Sequence, residues 1–145
     1  MIEIAKEIYT ATVTVTGGRS GHAAASDGRL EVDLSRPGDP RGTGTNPEQL
    51  FAAGYAACFQ SALTGVARRR GVTVGQSTVR ATVVLGSSAD ERYTLRVTLT
   101  VQVPDLDPVV VRELATAAHQ ICPYSNATRA NIEVTIEVAP APTLG

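Results

Sequence analysis

The two cysteines are the residues whose type and position most clearly offer chemistry. Cys58 lies within an alanine-rich apolar run, and Cys122 stands immediately before a proline. Sixty-four positions separate them, which excludes a Cys-x-x-Cys redox motif and a zinc knuckle. A free cysteine in an apolar run is more often a packed small hydrophobe than a nucleophile, whereas a thiol at a helix end can be reached. The two side chains could still meet in the folded chain.

Motifs for other kinds of chemistry are weak or missing. His22 and His119 complete a set of two histidines and two cysteines, but the spacing does not match the short ligand pairs of structural zinc sites, so we expect no metal. Gly42 and Gly44 lack the lysine or third glycine of a phosphate-binding loop, which argues against nucleotide binding. The sequence also has no Gly-x-Ser-x-Gly elbow of a serine hydrolase. Thiol chemistry remains.

A buried thiol needs a cationic neighbour to react, because desolvation raises its pKa and keeps it protonated. The arginines at 68–70 lie ten or more positions beyond Cys58 and match the dipole at a helix end. Arg19 is the better candidate, since flanking glycines let a turn present its guanidinium inward. Glu48 could hold that guanidinium. The plainer interpretations are an exposed turn arginine for Arg19 and a favourable helix-dipole charge for Glu48.

The N-terminal third reads as short strands joined by turns. Residues 9–16 alternate apolar side chains with four threonines, and residues 30–34 alternate apolar with acidic side chains. Both patterns predict strands, and the glycine-rich turns between them predict a meander. Residues 35–46 have turn chemistry without periodicity. They predict a long surface loop of the kind that is often functional.

A long central helix is predicted after this loop. Asn46 is its expected N-cap, Pro47 its first residue, Gln49 the partner in a capping box, and Gly71 its stop. Large apolar residues and alanines occupy almost every side of its first two-thirds, which predicts burial all round. Roughly 24 residues make a rod of about 36 Å, long enough to suggest that the helix also runs along a subunit interface.

The C-terminal half predicts a hairpin, a helix and a last strand. Residues 77–85 and 92–103 alternate and are joined by a turn. A second helix is expected to begin at the cap Asp107 and to end near Cys122, because the next residue is proline. Alternation over 132–138 predicts the final strand. Together the elements indicate an α+β fold in which antiparallel sheets pack on a long central helix.

Length and composition limit the remaining possibilities. The 145 residues, 43% of them hydrophobic, predict one domain at 1–138 with a flexible tail at 139–145. A net charge of −1 argues against nucleic-acid and anionic-membrane partners. No apolar run approaches the ~20 residues that span a bilayer, and the N-terminus does not resemble a signal peptide. We therefore expect a cytoplasmic protein whose thiols are kept reduced.

Three blocks in combination resemble the organic hydroperoxide resistance (Ohr) proteins of the OsmC/Ohr superfamily. The resemblance covers nearly the whole chain, and its last block is closer to the Ohr branch than to OsmC itself. Ser20, where an acidic residue is expected, and Ala130, where glycine is usual, depart from the pattern without touching a catalytic position. The blocks are Gly17-Gly18-Arg19, the run from Asn46 to Phe59, and Ile121-Cys122-Pro123-Tyr124-Ser125-Asn126-Ala127-Thr128.

The resemblance implies a thiol peroxidase with an intertwined, dimeric OsmC-like fold. Cys58 would be the peroxidatic residue, Cys122 the resolving residue that forms a disulfide with it, and Arg19 with Glu48 the activating pair. Lipoylated protein partners would supply dihydrolipoamide as an external dithiol, without a bound cofactor. An apolar site favours alkyl or lipid hydroperoxides over hydrogen peroxide. Its expected lining residues are Leu50, Phe51, Tyr55 and Phe59.

Helix geometry adds a prediction about assembly. Glu48 and Cys58 are about 15 Å apart along a straight helix, so an arginine held by Glu48 cannot easily touch Cys58 of the same chain. We therefore expect a homodimer in which each site takes Arg19 and Glu48 from the partner chain. Two other functions stay open, an OsmC-type peroxidase of broader substrate range and a non-catalytic module that binds a small apolar ligand.

Overall fold

Six strands and three helices lie in residues 1–140, the part of the chain that the structure, a computed structural model, describes. Contacts divide the chain into two compact units, Met1–Pro47 and the residues from Glu48 onward. The single domain at 1–138 stays a prediction, and residues 141–145 of the predicted tail lie outside the described part. In chain order the elements are β1 (Val13–Thr16), β2 (His22–Ala25), β3 (Glu31–Asp33), α1 (Pro47–Arg69), β4 (Thr78–Ser87), β5 (Tyr93–Gln102), α2 (Pro108–Ile121), α3 (Pro123–Thr128) and β6 (Glu133–Val138).

The N-terminal unit contains an antiparallel sheet in the order β1-β2-β3. The strand expected over 9–16 is shorter, because β1 pairs with β2 only from Val13 opposite Ala25 to Thr16 opposite His22. Val15, on the apolar face of β1, is 51% exposed. The elements of this unit are short strands and one 3-10 turn, so within the unit no helix covers that face.

The loop predicted at 35–46 is confirmed, and its two ends are joined. Leu34 and Thr45 form an isolated bridge. Beside it the Ser35 hydroxyl accepts a hydrogen bond from the backbone N–H of Gly44 at 2.8 Å and donates to the Gly44 carbonyl at 3.1 Å. These bonds close the loop at its base and bring the chain to the start of α1.

The central helix begins and ends where the sequence predicted. Pro47 is the first residue of α1 and Arg69 the last. Gly71 follows with a φ of 70°, a left-handed conformation that glycine adopts without strain at a helix C-terminus. One face of α1 is buried through Tyr55, Phe59, Leu63, Val66 and Ala67.

The prediction that α1 is buried on all sides is wrong for the single chain. Ala53, Ala57 and Ser61 are exposed. Their spacing of four residues places them along one side of the helix. Alanine is a good helix former on either face, so the sequence pattern could not reveal this exposed stripe.

By length and composition alone, α1 could cross a membrane, contrary to the expectation that no apolar run is long enough. It is the one such helix among residues 1–140, with 23 residues and a mean hydropathy of 1.3. The core helices of soluble proteins meet the same criterion. Here Phe59 and Leu63 share the core with Leu99 and Leu114, which supports the interpretation as a core helix.

The second sheet has the order β4-β5-β6 and corrects the prediction of purely antiparallel sheets. The expected hairpin is present, with β4 and β5 antiparallel from Thr78 opposite Gln102 to Ser87 opposite Tyr93. In contrast, β6 pairs with β5 in parallel, with Leu99 opposite Ile136. The connection from β5 to β6 runs through two helices, and a helical crossover of this kind returns the chain to the same end of the sheet.

The helical crossover follows the predicted α2 and adds a short helix. The Asp107 carboxylate accepts the Val109 N–H at 2.8 Å and caps α2, which ends at Ile121 as expected. Pro123 then opens α3, which the sequence analysis did not predict. A proline that cannot continue one helix is well suited to the first position of the next, so the same residue has both roles.

The backbone conformation at position 130 explains why glycine is usual there. Ala130 has a φ of 63°, a left-handed conformation that is unfavourable for residues with a Cβ. We expect Ala130→Gly to raise the free energy of unfolding, measured in urea, by about 1 kcal/mol. Ala117→Gly within α2 is the control and should lower it by a similar amount, about 1 kcal/mol. A loss of stability in Ala130→Gly would contradict the strain assigned to Ala130.

Candidate active site

The fold brings the two cysteines together. The Sγ atoms of Cys58 and Cys122 are 3.6 Å apart, and both thiols are free. Cys58 lies in the middle of α1, while Cys122 ends α2 and caps α3. Their exposure is the reverse of the expected one, because Cys122 is fully buried and Cys58 is half-buried. The short helix α3 is the reason, since the residues after Pro123 fold back instead of forming an open loop.

Aromatic packing holds α3 against α1 beside the thiols. The ring of Tyr124 lies 5.7 Å from that of Tyr55 and 5.9 Å from that of Phe51, measured between centroids. A Cβ at Gly54 would come within 2.7 Å of the Tyr124 hydroxyl oxygen. Glycine at this position therefore lets the tyrosine lie close to the helix one turn before Cys58.

A buried set of hydrogen bonds joins residues that are close to the two cysteines along the chain. The Tyr55 hydroxyl is 2.9 Å from Ser125 Oγ and 3.2 Å from Thr128 Oγ1. Ser125 Oγ is also 2.8 Å from Nδ1 of His119. Ser125 and Thr128 lie in the third block of the resemblance but were assigned no role, and His119 was considered only as a metal ligand. That block and the positions within one or two turns of Cys122 were the available signals.

The immediate surroundings of Cys58 favour its neutral form. Burial raises the pKa of the Cys58 thiol, a backbone hydrogen bond from Tyr124 lowers it, and the adjacent Cys122 raises it further. A reactive thiolate at this position requires a cation to offset the desolvation. Burial and the charge of Arg129 lower the pKa of His119, which favours its neutral ring over the cation that Cys58 needs.

The two predicted activating residues belong to different parts of the chain. Arg19 lies in the 3-10 turn Gly18–Ser20 of the N-terminal unit, after Gly17 with its φ of 77°. Glu48 lies in the first turn of α1. The glycine-flanked turn expected around Arg19 is therefore present, and the activating roles of Arg19 and Glu48 stay predictions.

The four apolar residues expected to bind substrate differ in accessibility. Tyr55 and Phe59 are fully buried and belong to the core. Leu50 and Phe51, near the start of α1, are half-buried. A bound molecule could reach the second pair without displacing core side chains, and the substrate-binding role of all four stays a prediction.

The histidines are engaged in hydrogen bonds at separate places. His22 Nδ1 lies 2.9 Å from the Asp33 carboxylate, which raises the pKa of His22, and His119 bonds to Ser125. Within residues 1–140, no three histidine, cysteine or acidic side chains are grouped as metal ligands.

Comparison with known proteins places this chain among established relatives. The family described as OsmC-like protein matches residues 37–137. Organic hydroperoxide resistance protein OhrA of Bacillus subtilis is 46% identical over 94% of this chain and 99% of its own. The organic hydroperoxide resistance protein of Xanthomonas axonopodis pv. citri is also 46% identical, over 92% of this chain and 96% of its own.

Solved structures agree with the sequence relatives. The crystal structure of organic hydroperoxide resistance protein OhrB of Bacillus subtilis superposes with a TM-score of 0.86 at 46% identity. The match covers 90% of this chain and 98% of that one. The resemblance inferred from the three sequence blocks is thus confirmed. The chain belongs to the organic hydroperoxide resistance (Ohr) proteins of the OsmC/Ohr superfamily.

Proposed function

We propose that this protein is a cysteine-based peroxidase that reduces organic hydroperoxides to alcohols. The observation that carries the proposal is the 3.6 Å separation of two free sulfurs, that of half-buried Cys58 and that of fully buried Cys122. Two thiols at this distance can form a disulfide by small side-chain movements. The relatives named for organic hydroperoxide resistance support organic hydroperoxides as the substrates.

The reaction proceeds in three steps. The Cys58 thiolate attacks one peroxide oxygen, the O–O bond breaks, and the alkoxide leaves as an alcohol after taking a proton. The resulting sulfenic acid is attacked by Cys122, so that an S–S bond forms, the S–O bond breaks and water leaves. An external dithiol then reduces the disulfide by exchange. We assign that role to dihydrolipoamide on a lipoylated partner protein.

Arg19 supplies the positive charge that Cys58 needs in this mechanism. A guanidinium beside the sulfur offsets the burial that raises the pKa of Cys58 and can orient the peroxide. Glu48 holds the guanidinium through a charge-assisted hydrogen bond. The free cysteines and this dithiol cycle fit the reducing environment of the cytoplasm.

We expect Arg19→Ala to slow the reaction of Cys58 with cumene hydroperoxide by roughly 10- to 100-fold at neutral pH. Loss of the guanidinium raises the pKa of Cys58, so the rise of the rate with pH should move to higher pH. Stopped-flow measurement of the reduced protein from pH 5 to 10 checks this. Arg29→Ala, in a neighbouring turn, is the matched control. Equal pH profiles for wild type and Arg19→Ala would refute the assigned role.

Organic substrates are favoured by the apolar side chains near the start of α1. Half-buried Leu50 and Phe51 can contact an alkyl tail, and fully buried Tyr55 and Phe59 belong to the core beneath the surface of the same helix. Each methylene removed from water contributes about 0.8 kcal/mol. Hydrogen peroxide has no tail and gains nothing from these contacts.

The active form in this proposal is a homodimer with sites completed across the interface. The distance argument from Glu48 to Cys58 favours this arrangement. Exposed apolar residues in the first strand and before it support it as well, since large apolar patches mark interaction surfaces. The exposed alanines of α1 offer a second flat face for a partner. The N-terminal residues concerned are Ile2, Ile4, Ile8, Tyr9, Val13 and Val15.

Mixed dimers test this arrangement. When the inactive Cys58→Ser chain and the Arg19→Ala chain are unfolded together and refolded, each heterodimer regains one complete site if Arg19 acts across the interface. Activity should return to about a quarter of the wild-type level, since half of the dimers are mixed. Each variant refolded alone is the control. No gain on mixing would show that Arg19 serves the Cys58 of its own chain.

A coupled assay tests the function as a whole. With dihydrolipoamide as reductant, the protein should consume cumene hydroperoxide and tert-butyl hydroperoxide much faster than hydrogen peroxide. A ratio near one would point to an OsmC-type enzyme of broader substrate range. Two thiols that remain titratable after prolonged exposure to either peroxide would refute the peroxidase and favour a module that binds small apolar ligands.

A further inference from the structure

We propose that the buried hydrogen-bonded chain His119–Ser125–Tyr55 is a positioning device that keeps Cys122 ready to condense with the oxidised Cys58. This inference rests on the proposed function and concerns its second step. None of the three side chains needs to touch the peroxide. Their role is to fix the corner between α2 and α3, which carries the resolving sulfur, against the helix that carries the other sulfur.

The spacing of these residues matches that task. His119 lies three residues before Cys122 and Ser125 three residues after it, so their 2.8 Å contact ties the two sides of the corner together. Tyr55 lies three residues before Cys58, about one turn of α1. Its 2.9 Å contact with Ser125 therefore links the corner to α1 close to the sulfur pair.

Donors and acceptors can be assigned consistently along the chain. The Thr128 hydroxyl, 3.2 Å from the Tyr55 oxygen, can donate its proton to Tyr55. Tyr55 can then donate to Ser125, and Ser125 to Nδ1 of a neutral His119. In residues 1–140, every buried side-chain nitrogen and oxygen has a partner. A fully satisfied buried network is costly to break and so restricts movement.

A second contact restrains the same corner from outside. The Arg129 guanidinium, just after α3, donates to the backbone carbonyl of His119 and to the side-chain oxygen of Asn126. Cys122 itself takes part in both helices, donating its N–H to Ala118 at 2.9 Å and accepting from Asn126 at 2.9 Å. The backbone that carries Cys122 is thus held on both sides, and its sulfur is fully buried.

The position of Cys122 matters because disulfide formation competes with further oxidation of the Cys58 sulfenic acid. For the disulfide to form, the two sulfurs must approach from 3.6 Å to about 2.05 Å. The Cys122 thiol gives up its proton, the sulfenic oxygen leaves as water, and no further oxidant is needed. If Cys122 is displaced, the sulfenic acid persists, and a second peroxide converts it to sulfinic acid.

The test uses Ser125→Ala, which removes the central side chain of the hydrogen-bonded series His119–Ser125–Tyr55. It measures the reaction of Cys58 with peroxide and the formation of the disulfide separately. Peroxide consumption in a single turnover measures the first step. Quenched samples analysed by mass spectrometry give the rate of disulfide formation and the sulfinic fraction. We expect the first step to be retained, disulfide formation to fall about tenfold, and the sulfinic fraction to rise with peroxide concentration.

Two further comparisons distinguish positioning from general destabilisation. His119→Asn keeps a polar atom near the place of Nδ1 and should form the disulfide almost as fast as wild type. His119→Leu should form it as slowly as Ser125→Ala. Thr116→Ala removes an exposed α2 hydroxyl that bonds to the Arg112 carbonyl and is the matched control. Unchanged disulfide formation in Ser125→Ala, or equal slowing of both steps, would overturn the proposal.

A redox buffer keeps this test independent of the peroxidase proposal. In mixtures of reduced and oxidised dithiothreitol, the Cys58–Cys122 disulfide forms without peroxide. If the hydrogen-bonded residues His119, Ser125 and Tyr55 position the thiols, Ser125→Ala should lower the equilibrium constant for disulfide formation about tenfold. This corresponds to a shift of about 30 mV in the reduction potential of the disulfide. A wild-type protein that cycles in this buffer but ignores peroxide would refute the peroxidase only. Identical equilibria for wild type and Ser125→Ala would refute the positioning role only.

Discussion

Cys58→Ser is expected to abolish turnover of organic hydroperoxides with dihydrolipoamide. A serine hydroxyl is neither ionised nor nucleophilic in this environment, and removal of a nucleophile commonly costs a factor on the order of 10³ or more. Steady-state consumption of cumene hydroperoxide measures the loss. The variant should keep its fold, because the side chain is half-buried and the replacement is nearly isosteric.

Thr64→Ser, further along α1, is a matched control for a small change in the same helix. Its hydroxyl donates to the Gln60 carbonyl at 3.0 Å, a bond that serine can also make. This variant should turn over at the wild-type rate. Appreciable dithiol-dependent turnover by Cys58→Ser would move the peroxidatic role away from Cys58 and remove the basis of the mechanism.

Cys122→Ser is expected to keep the first reaction with peroxide but to lose the disulfide step that completes the cycle. Cys58 can still attack the peroxide, so one equivalent should be consumed in a burst. The sulfenic acid then has no thiol partner within the chain, and excess peroxide converts it to sulfinic and sulfonic acids. Mass spectrometry after stepwise addition of peroxide should show oxygen added to Cys58, while the wild type stops at the disulfide.

The outcome opposed to this prediction is also measurable. Sustained turnover by Cys122→Ser without oxygen added to Cys58 would mean that the external dithiol reduces the sulfenic acid directly. In that case Cys122 would be a buried packing residue, which agrees with its full burial but not with the assigned resolving role. Rapid loss of activity together with over-oxidation supports the resolving role.

Local signals in the sequence predicted the helix boundaries well. Pro47, Gly71 and the Asp107 cap each act through the backbone of their own neighbourhood, and the structure has helices where they place them. The direction of β6 depends instead on the crossover that precedes it, which alternation of side chains does not encode. Alternation gave the strand but not its orientation.

For the candidate site as well, the sequence identified individual residues but not the contacts that depend on long-range packing. Cys58 and Cys122 could be singled out by residue type, but their 3.6 Å separation depends on the packing of α3 against α1. Their exposure is the reverse of the prediction that a thiol at a helix end can be reached, because a second helix, α3, begins directly after Cys122. Ser125 lies in the third block of the resemblance, but neither that block nor any other pattern assigns a role to Ser125 or His119. Their connection through the corner at Cys122 became visible only in the folded chain.

The most direct measurement of the central claim is the fate of the two thiols after a single equivalent of hydroperoxide. Fully reduced protein is mixed with cumene hydroperoxide, quenched with an alkylating reagent, digested and analysed by mass spectrometry. The account predicts one peptide pair joined through Cys58 and Cys122, in a yield matching the peroxide consumed, and no alkylated thiol in the same molecules. Peroxide that remains unconsumed beside two alkylated cysteines would contradict it.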